Sequence, residues 1–235
     1  MTKVSQFNMP RLYHFTLDPY GRRLRLALAE YGIDVQAVDE KPWAPSAQLL
    51  QLSPTGLSPV YVEDSGTAVV SPEAISEYLE ETVGERHPLI PGNALARAEV
   101  RRLVNWFDVK FYTEVTEPIL TEKVISRFVT NRGSSGSPNM ARVRAARQML
   151  GSHLDYISAL SEERSFLAGN DLSNADLAAA AHISAIDYLG DVPWAEHPVA
   201  QMWYMRIKSR PSFKVLLGDT IPGVPASSHY SNLDF

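Results

Sequence analysis

The sequence predicts an α/β first part followed by an all-helical second part, on three observations. Strand-like runs are confined to the stretch before residue 84. An apolar period near 3.6 residues takes over from "NALARAEVRRL" onward. Charge divides at the same place: residues 1–90 carry 7 Lys/Arg against 12 Asp/Glu, a net −5, whereas 91–235 carry 15 of each. A chain of 235 residues can form two small domains with apolar cores that need no covalent staples.

The elements follow in order. "RLYHF" (11–15) reads as a buried strand. In "LDPYGRRLRLALAEYGI", Asp18 suits a helix N-cap, Pro19 the first helical turn, and Gly32 a left-handed stop. Between them Tyr20, Leu24, Ala27, Leu28 and Tyr31 form one apolar face. "DVQAVD" (34–39) is a second strand, and "AQLLQL" a short helical piece. "SPVYVE" (58–63), "DSG" and "TAVV" (67–70) make a hairpin, then Ser71 and Pro72 open another helix. That order fits a parallel crossover followed by an antiparallel hairpin.

In the second half, Val100, Leu103, Val104, Phe107 and Phe111 mark one helix, and Val143, Ala146, Leu150, Leu154 and Ile157 the next. Ser173 and Asp176 in "SNAD" form a capping box, and further helices fall near 199–208 and 211–217. The expected division is 1–84, 94–218, and a tail, 219–235, with neither period.

Composition narrows the chemistry. With no cysteine there are no disulfides, thiolate metal sites or cysteine nucleophiles. Neither half has a basic surplus, which argues against nucleic-acid binding. "MTKVSQFNMP" has no apolar signal region, and no apolar run approaches the ~20 residues of a membrane span; a cytoplasmic location is the expectation. The six histidines show no metal-ligand spacing, so no metal is expected, and His182 among alanines reads as a satisfied buried histidine. "RGSSGSPN" lacks the lysine and preceding strand of a phosphate loop.

Over residues 11–218 this layout resembles the soluble glutathione transferases: a thioredoxin-like N-terminal domain followed by the family's all-helical bundle. "LSPTGLSPVYV" is similar to the family's Asn-Pro-x-Gly-Lys-Val-Pro-Val segment and puts Ser58-Pro59 at its cis-proline, and "RPSF" (210–213) is also similar. By this resemblance Asp18 occupies the position that supplies the thiol-facing hydroxyl or thiol in the serine and cysteine branches. An ionised carboxylate accepts hydrogen bonds and cannot donate one to a thiolate. The Glu-Ser pair that holds the γ-glutamyl end falls on Ser71-Pro72. The expectation is therefore a vestigial glutathione site at Asp18, Ser58, Pro59 and Ser71, with no catalytic residue and no cofactor. The alternative is a working transferase that uses Tyr13, where the tyrosine branch keeps its phenol. A third reading is an adaptor domain of the kind appended to translation factors.

Two features suit a binding role. Trp43 sits in the polar loop "EKPWAPS", and tryptophan is enriched at interface hot spots. The tail ends "SHYSNLDF", so that Tyr230, Leu233, Asp234 and Phe235 either form a docking motif or fold back on the bundle. "RLYHFTLDPYGRRLRLALAEYGI", "LDYISALSEERSFLAGNDLSNADLAAAAHISAIDYLGDVPW" and "HYSNLDF" resemble a bacterial branch of the family that binds the tubulin homologue FtsZ. The resemblance implies a homodimeric, non-catalytic protein at the division site that acts on filament shape and constriction. It also leaves room for a further division partner on the tail.

Overall fold

The computed structural model describes residues 9–129 and 137–233. Strand β1 (Arg11–His14) leads through helix α1 (Pro19–Glu30) to β2 (Gln36–Asp39), then short α2 (Ala47–Leu52), β3 (Val60–Val62), β4 (Ala68–Val70) and α3 (Pro72–Val83). The sheet order is β2-β1-β3-β4. β1 pairs in parallel with β2, Tyr13 beside Val38, and antiparallel with β3, Tyr13 beside Val60. β3 and β4 close the expected hairpin, and Ser58-Pro59 is cis.

Local chemistry accounts for the helix ends. Asp18 accepts from the Gly21 N–H at 2.8 Å, and Gly32, at φ 71°, adopts the left-handed conformation after the C-cap. Ser71 caps α3 by accepting from Ala74 N–H at 3.2 Å.

Long helix α4 spans 94–129. It is α-helical over Ala94–Asn105, Glu117–Leu120 and Ser126–Val129, and widened into π-turns over Trp106–Thr116 and Thr121–Ile125. Pro118 lies inside it, where a missing amide hydrogen breaks the regular ladder. Helices α5 (Met140–Glu163), α6 (Asn174–Tyr188), α7 (Pro198–Lys208) and α8 (Lys214–Leu217) complete the bundle.

Every residue of α6 is buried. Its capping box is present: Asp176 accepts from Ser173 N–H at 3.1 Å, and also from Leu167 N–H at 2.9 Å and Trp203 Nε1–H at 3.1 Å. With the Ser173 hydroxyl, which also donates to it at 3.0 Å, four good donors make a carboxylate tolerable where burial otherwise disfavours its charge.

Helix α1 joins the two parts because it is buried on opposite sides. Leu24 and Leu28 pack with Leu12, Tyr61, Ile75 and Leu79 beneath the sheet. Leu26 and Ala27 enter the bundle core with Leu103, Phe107 and Ile183. A single apolar stripe would leave Arg22 and Arg23 in solvent, yet they are 0% and 1% exposed. Each has partners distant in sequence. Arg22 donates to Ser184 Oγ at 2.9 Å and Asp219 at 2.9 Å, and Arg23 to Asp108 at 2.5 Å.

The tail folds back. Ile221, Val224 and Tyr230 share a core with Phe15, Leu17, Leu120, Val124 and Tyr188. Tyr188 donates to Val224 O at 2.8 Å, and Ser227 N–H to Tyr188 O at 2.8 Å. Tyr230, 1% exposed, donates to Leu216 O at 3.2 Å and accepts from Arg22 Nη2. This corrects Tyr230 as a docking side chain: its ring is a core group. Leu233 is 39% exposed, and Asp234 and Phe235 lie outside the described residues.

Candidate functional site

Between the sheet and the bundle lies a cleft of about 640 Å³. Its floor is the start of α1 with Asp18, Pro19 and Tyr20; one wall is the 55–59 loop and Ser71-Pro72-Glu73; the other is α4. The topology brings these together because the β1–α1 turn, the loop before β3 and the start of α3 meet at one end of the sheet.

Asp18, Ser58, Pro59 and Ser71 all line this cleft. Burial pushes the Asp18 carboxyl up, to about 7, although hydrogen bonds from Gly21 and Tyr20 N–H act the other way. The α1 N-terminus is thus already served by a side chain of its own chain. Ser71 sits at φ 84°, a conformation that favours glycine, and Pro72 follows with no amide hydrogen. Tyr13 is elsewhere. It is 1% exposed and packs within the sheet against Leu49, Val60 and Val62, and it does not line the cleft.

Cleft groups that the sequence did not single out are Tyr20, Glu73, Asp108, Tyr112, Glu117 and Thr121. Tyr20 donates to Asp108 O at 2.7 Å and lies 5.2 Å from the Tyr112 ring; burial raises both phenols. Asp108 also receives Arg23, and its Oδ1 lies 3.3 Å from His182 Nε2. His182 is buried, with Nδ1 2.8 Å from Thr116 Oγ1, and burial lowers its pKa. The residue is satisfied, as read from its sequence context.

The charge lining the cleft is acidic: Asp18, Glu40, Glu73, Asp108 and Glu117 against Lys41. Besides Asp18, which caps α1, three of these acids are engaged within the chain. Glu40 accepts from Ser46 Oγ at 2.6 Å, Asp108 pairs with Arg23, and Glu117 pairs with Arg142. No group of three or more His, Cys, Asp or Glu suited to a metal occurs among the described residues.

Trp43 stands beside the cleft, half-buried. Its ring stacks on Phe128 of α4 at 4.8 Å and 3°, and meets Phe15 edge-on at 5.7 Å. Phe128 itself is 38% exposed. Trp43 therefore ties the β2–α2 loop to the far end of α4 while one side of the pair faces solvent.

A thioredoxin-like sheet domain docked on an all-helical domain, with a cis-proline and a helix N-terminus at their junction, defines a protein of the glutathione transferase class. Residues 12–87 match the family described as "Glutathione S-transferase, N-terminal domain". The chain is 42% identical over 227 residues to FtsZ-localized protein A of Caulobacter vibrioides, covering 95% of this chain and 97% of that one, and it belongs to that protein's family. The solved structure of FzlA from C. crescentus superposes with a TM-score of 0.91 at 42% identity, covering 97% of this chain and all of that one. A glutathione S-transferase structure from Rhodospirillum rubrum superposes with a TM-score of 0.92 at 48% identity over the same shares. No helix among the described residues is long and apolar enough to cross a membrane.

Proposed function

We propose that this protein binds FtsZ filaments at the division site as a non-catalytic, homodimeric scaffold that sets filament curvature and so regulates constriction. The observation that carries the reading is Asp18. Its carboxyl group caps α1, at the position where the family resemblance puts the thiol, and the 42% identity with FtsZ-localized protein A spans nearly the whole chain. When ionised, the Asp18 carboxylate offers a thiolate no donor, and Pro72, at the position the family resemblance gives to the γ-glutamyl contact, has neither an amide hydrogen nor a side-chain oxygen. The acidic lining further disfavours glutathione, which is itself an anion.

The mechanism requires no bond chemistry. A two-fold dimer repeats each surface of the chain at a fixed tilt. Two filament-binding faces per dimer raise avidity and transmit that tilt to the polymer. The half-exposed Trp43–Phe128 pair supplies an aromatic anchor on that face. Leu233 and the terminal residues are left for a further division partner.

Co-sedimentation with FtsZ, with GTP and without it, tests this. The protein is expected in the pellet only when filaments form. Failure to pellet at concentrations where the dimer is intact overturns the reading.

The second reading is a working glutathione transferase, favoured by the similarity to the Rhodospirillum structure. It predicts retention on immobilised glutathione and conjugation to an electrophile, abolished by Tyr13→Phe. The burial of Tyr13 away from the cleft weighs against it.

A further inference from the structure

The cleft between the sheet and the bundle holds more negative charge than the chain neutralises. Asp108 pairs with Arg23 and Glu117 with Arg142, and Glu40, hydrogen-bonded to Ser46, is offset by Lys41 next to it in the chain. Asp18 and Glu73 are left over. Glu73, in the first turn of α3, is exposed, and its carboxylate has no hydrogen bond or ion pair among the described residues. The N-termini of α1 and α3 meet here and oppose the two acids, each with roughly half a positive charge, so that about one negative charge remains.

These acids converge on two tyrosines. The Tyr20 and Tyr112 rings, both half-buried, lie 5.2 Å apart and are tilted by 42°. Burial raises the Tyr20 phenol first, followed by the nearby Asp108, Tyr112, Asp18 and Glu73. Burial, then Asp18 and Glu117, raise that of Tyr112. Carboxylates from α1, α3 and α4 thus stand around the same pair of rings. The Tyr20 hydroxyl donates to Asp108 O at 2.7 Å, whereas that of Tyr112 has no partner among the described residues. Aromatic rings and a phenol oxygen beside an unpaired carboxylate are groups that hold an ammonium.

The rest of the lining selects the kind of cation. No three His, Cys, Asp or Glu among the described residues are grouped to cage a metal ion. Other walls are apolar: Leu57, Val70 and Val109, which are 70%, 40% and 56% exposed, together with Leu120 and Ile125. Such walls gain by covering an apolar body. The volume of about 640 Å³ falls within the ~300–1,000 Å³ of small-molecule sites.

We propose that this cleft binds a small organic cation, a primary ammonium carried on an apolar body. The ammonium lies between Glu73 and the Tyr20–Tyr112 pair, donating to the carboxylate and meeting the rings, while the body covers Leu57, Val109 and Leu120. The site does not depend on the filament reading.

Benzylamine, charged at neutral pH, and benzyl alcohol, neutral and nearly the same size, are the probes. In amide NMR spectra of the full chain at pH 7, benzylamine is expected to shift the residue 73 and Tyr112 resonances saturably. Benzyl alcohol should bind about fivefold more weakly or not at all. Glu73→Gln, at an exposed position that the fold tolerates, should weaken benzylamine about fivefold, the worth of one partly exposed ion pair. Tyr112→Leu should weaken it by a similar factor, and Glu73→Gln keeps the test open if that variant folds poorly. Glu85→Gln, an exposed acid beyond the far end of α3, should leave benzylamine binding unchanged. Benzyl alcohol binding as tightly as benzylamine would overturn the proposal, because charge would then play no part. So would undiminished binding to Glu73→Gln, an equal loss in Glu85→Gln, or silence from both probes up to their solubility.

Discussion

Arg22 in the first helix of the chain donates to Asp219, 197 residues later, at 2.9 Å, and the same guanidinium meets the phenol of Tyr230. Arg25 donates to the other oxygen of Asp219 at 2.8 Å. Two buried or nearly buried cations thus share one carboxylate on the returning tail, and Asp219→Asn would leave them without a counter-charge. Breaking such a pair from one side costs about 3 kcal/mol or more, because the residual charge stays desolvated. Urea unfolding of the variant should show that loss. Tyr230→Phe should cost less, about 1–2 kcal/mol, since it removes hydrogen bonds and leaves the ring packed. A variant lacking 219–233 that melts like the intact chain would sink this account of the tail.

Gly21 and His14 stand in a tighter relation. A Cβ on Gly21 would lie 2.6 Å from the His14 Cβ, closer than side chains approach, and His14 is held in β1 at 3% exposure. Alanine is ordinarily better than glycine inside a helix by about 1 kcal/mol. Here overpacking should reverse the sign, and Gly21→Ala is expected to destabilise by about 1–3 kcal/mol. A higher melting temperature would show that the β1–α1 contact yields easily.

Much of the fold was legible because it rests on local signals. Asp18-Pro19, Ser71-Pro72 and Ser173 with Asp176 each open a helix that the structure contains. The apolar faces of α4 and α5 read directly as buried residues, apart from the half-buried Val104. What was illegible depends on partners far apart in sequence. Nothing near Arg22 or Arg23 announces Asp219 or Asp108, so an amphipathic reading of α1 assigns both arginines to solvent. Of the two readings of the tail the structure contains the fold-back, and the sequence could not choose it for the same reason: Ile221, Val224 and Tyr230 have no period, and only Arg22, Leu216 and Tyr188 explain why they are buried. In the cleft, Asp18, Ser58, Pro59 and Ser71 were accessible through the resemblance to the glutathione transferases. Tyr20, Asp108 and Tyr112 were not, because helix α4 delivers two of them across the domain junction.

The Asp18 carboxyl gives a pH test with a definite sign. Its pKa is raised to about 7, mainly by burial, so between about 4 and 7 the folded protein holds a proton that the unfolded chain has lost. Stability from this group is full below the unfolded value and declines as pH rises through about 7. Asp18→Asn keeps a good N-cap and removes the titration. The variant should gain on the wild type progressively from pH 5 to pH 8, reaching about 1–2 kcal/mol, less than the whole shift because the carboxyl faces the cleft. Melting curves at three pH values across that window measure it. A difference that stays constant with pH would mean that Asp18 is ionised throughout.

Trp43 can be separated into its structural and binding parts. The ring stacks on Phe128 at 4.8 Å and meets Phe15 edge-on, so Trp43→Ala removes two aromatic contacts from the domain junction. Because Trp43 is half-buried and Phe128 is 38% exposed, the expected loss is about 1–2 kcal/mol, below the 3–5 kcal/mol of a fully buried tryptophan. The chain should still fold, since the cores around Leu24 and Phe107 are untouched. If the aromatic pair anchors filaments, co-sedimentation with FtsZ should fall at least tenfold, far beyond what the small loss of stability explains. Phe128→Ala should reproduce the binding defect, because Trp43 would lose the surface that holds its ring at this angle. Trp43→Phe, which keeps an apolar ring against Phe128, should restore most of the stability and only part of the binding. Unchanged pelleting by a folded Trp43→Ala protein would move the filament face elsewhere and leave this tryptophan as a clasp between the two domains.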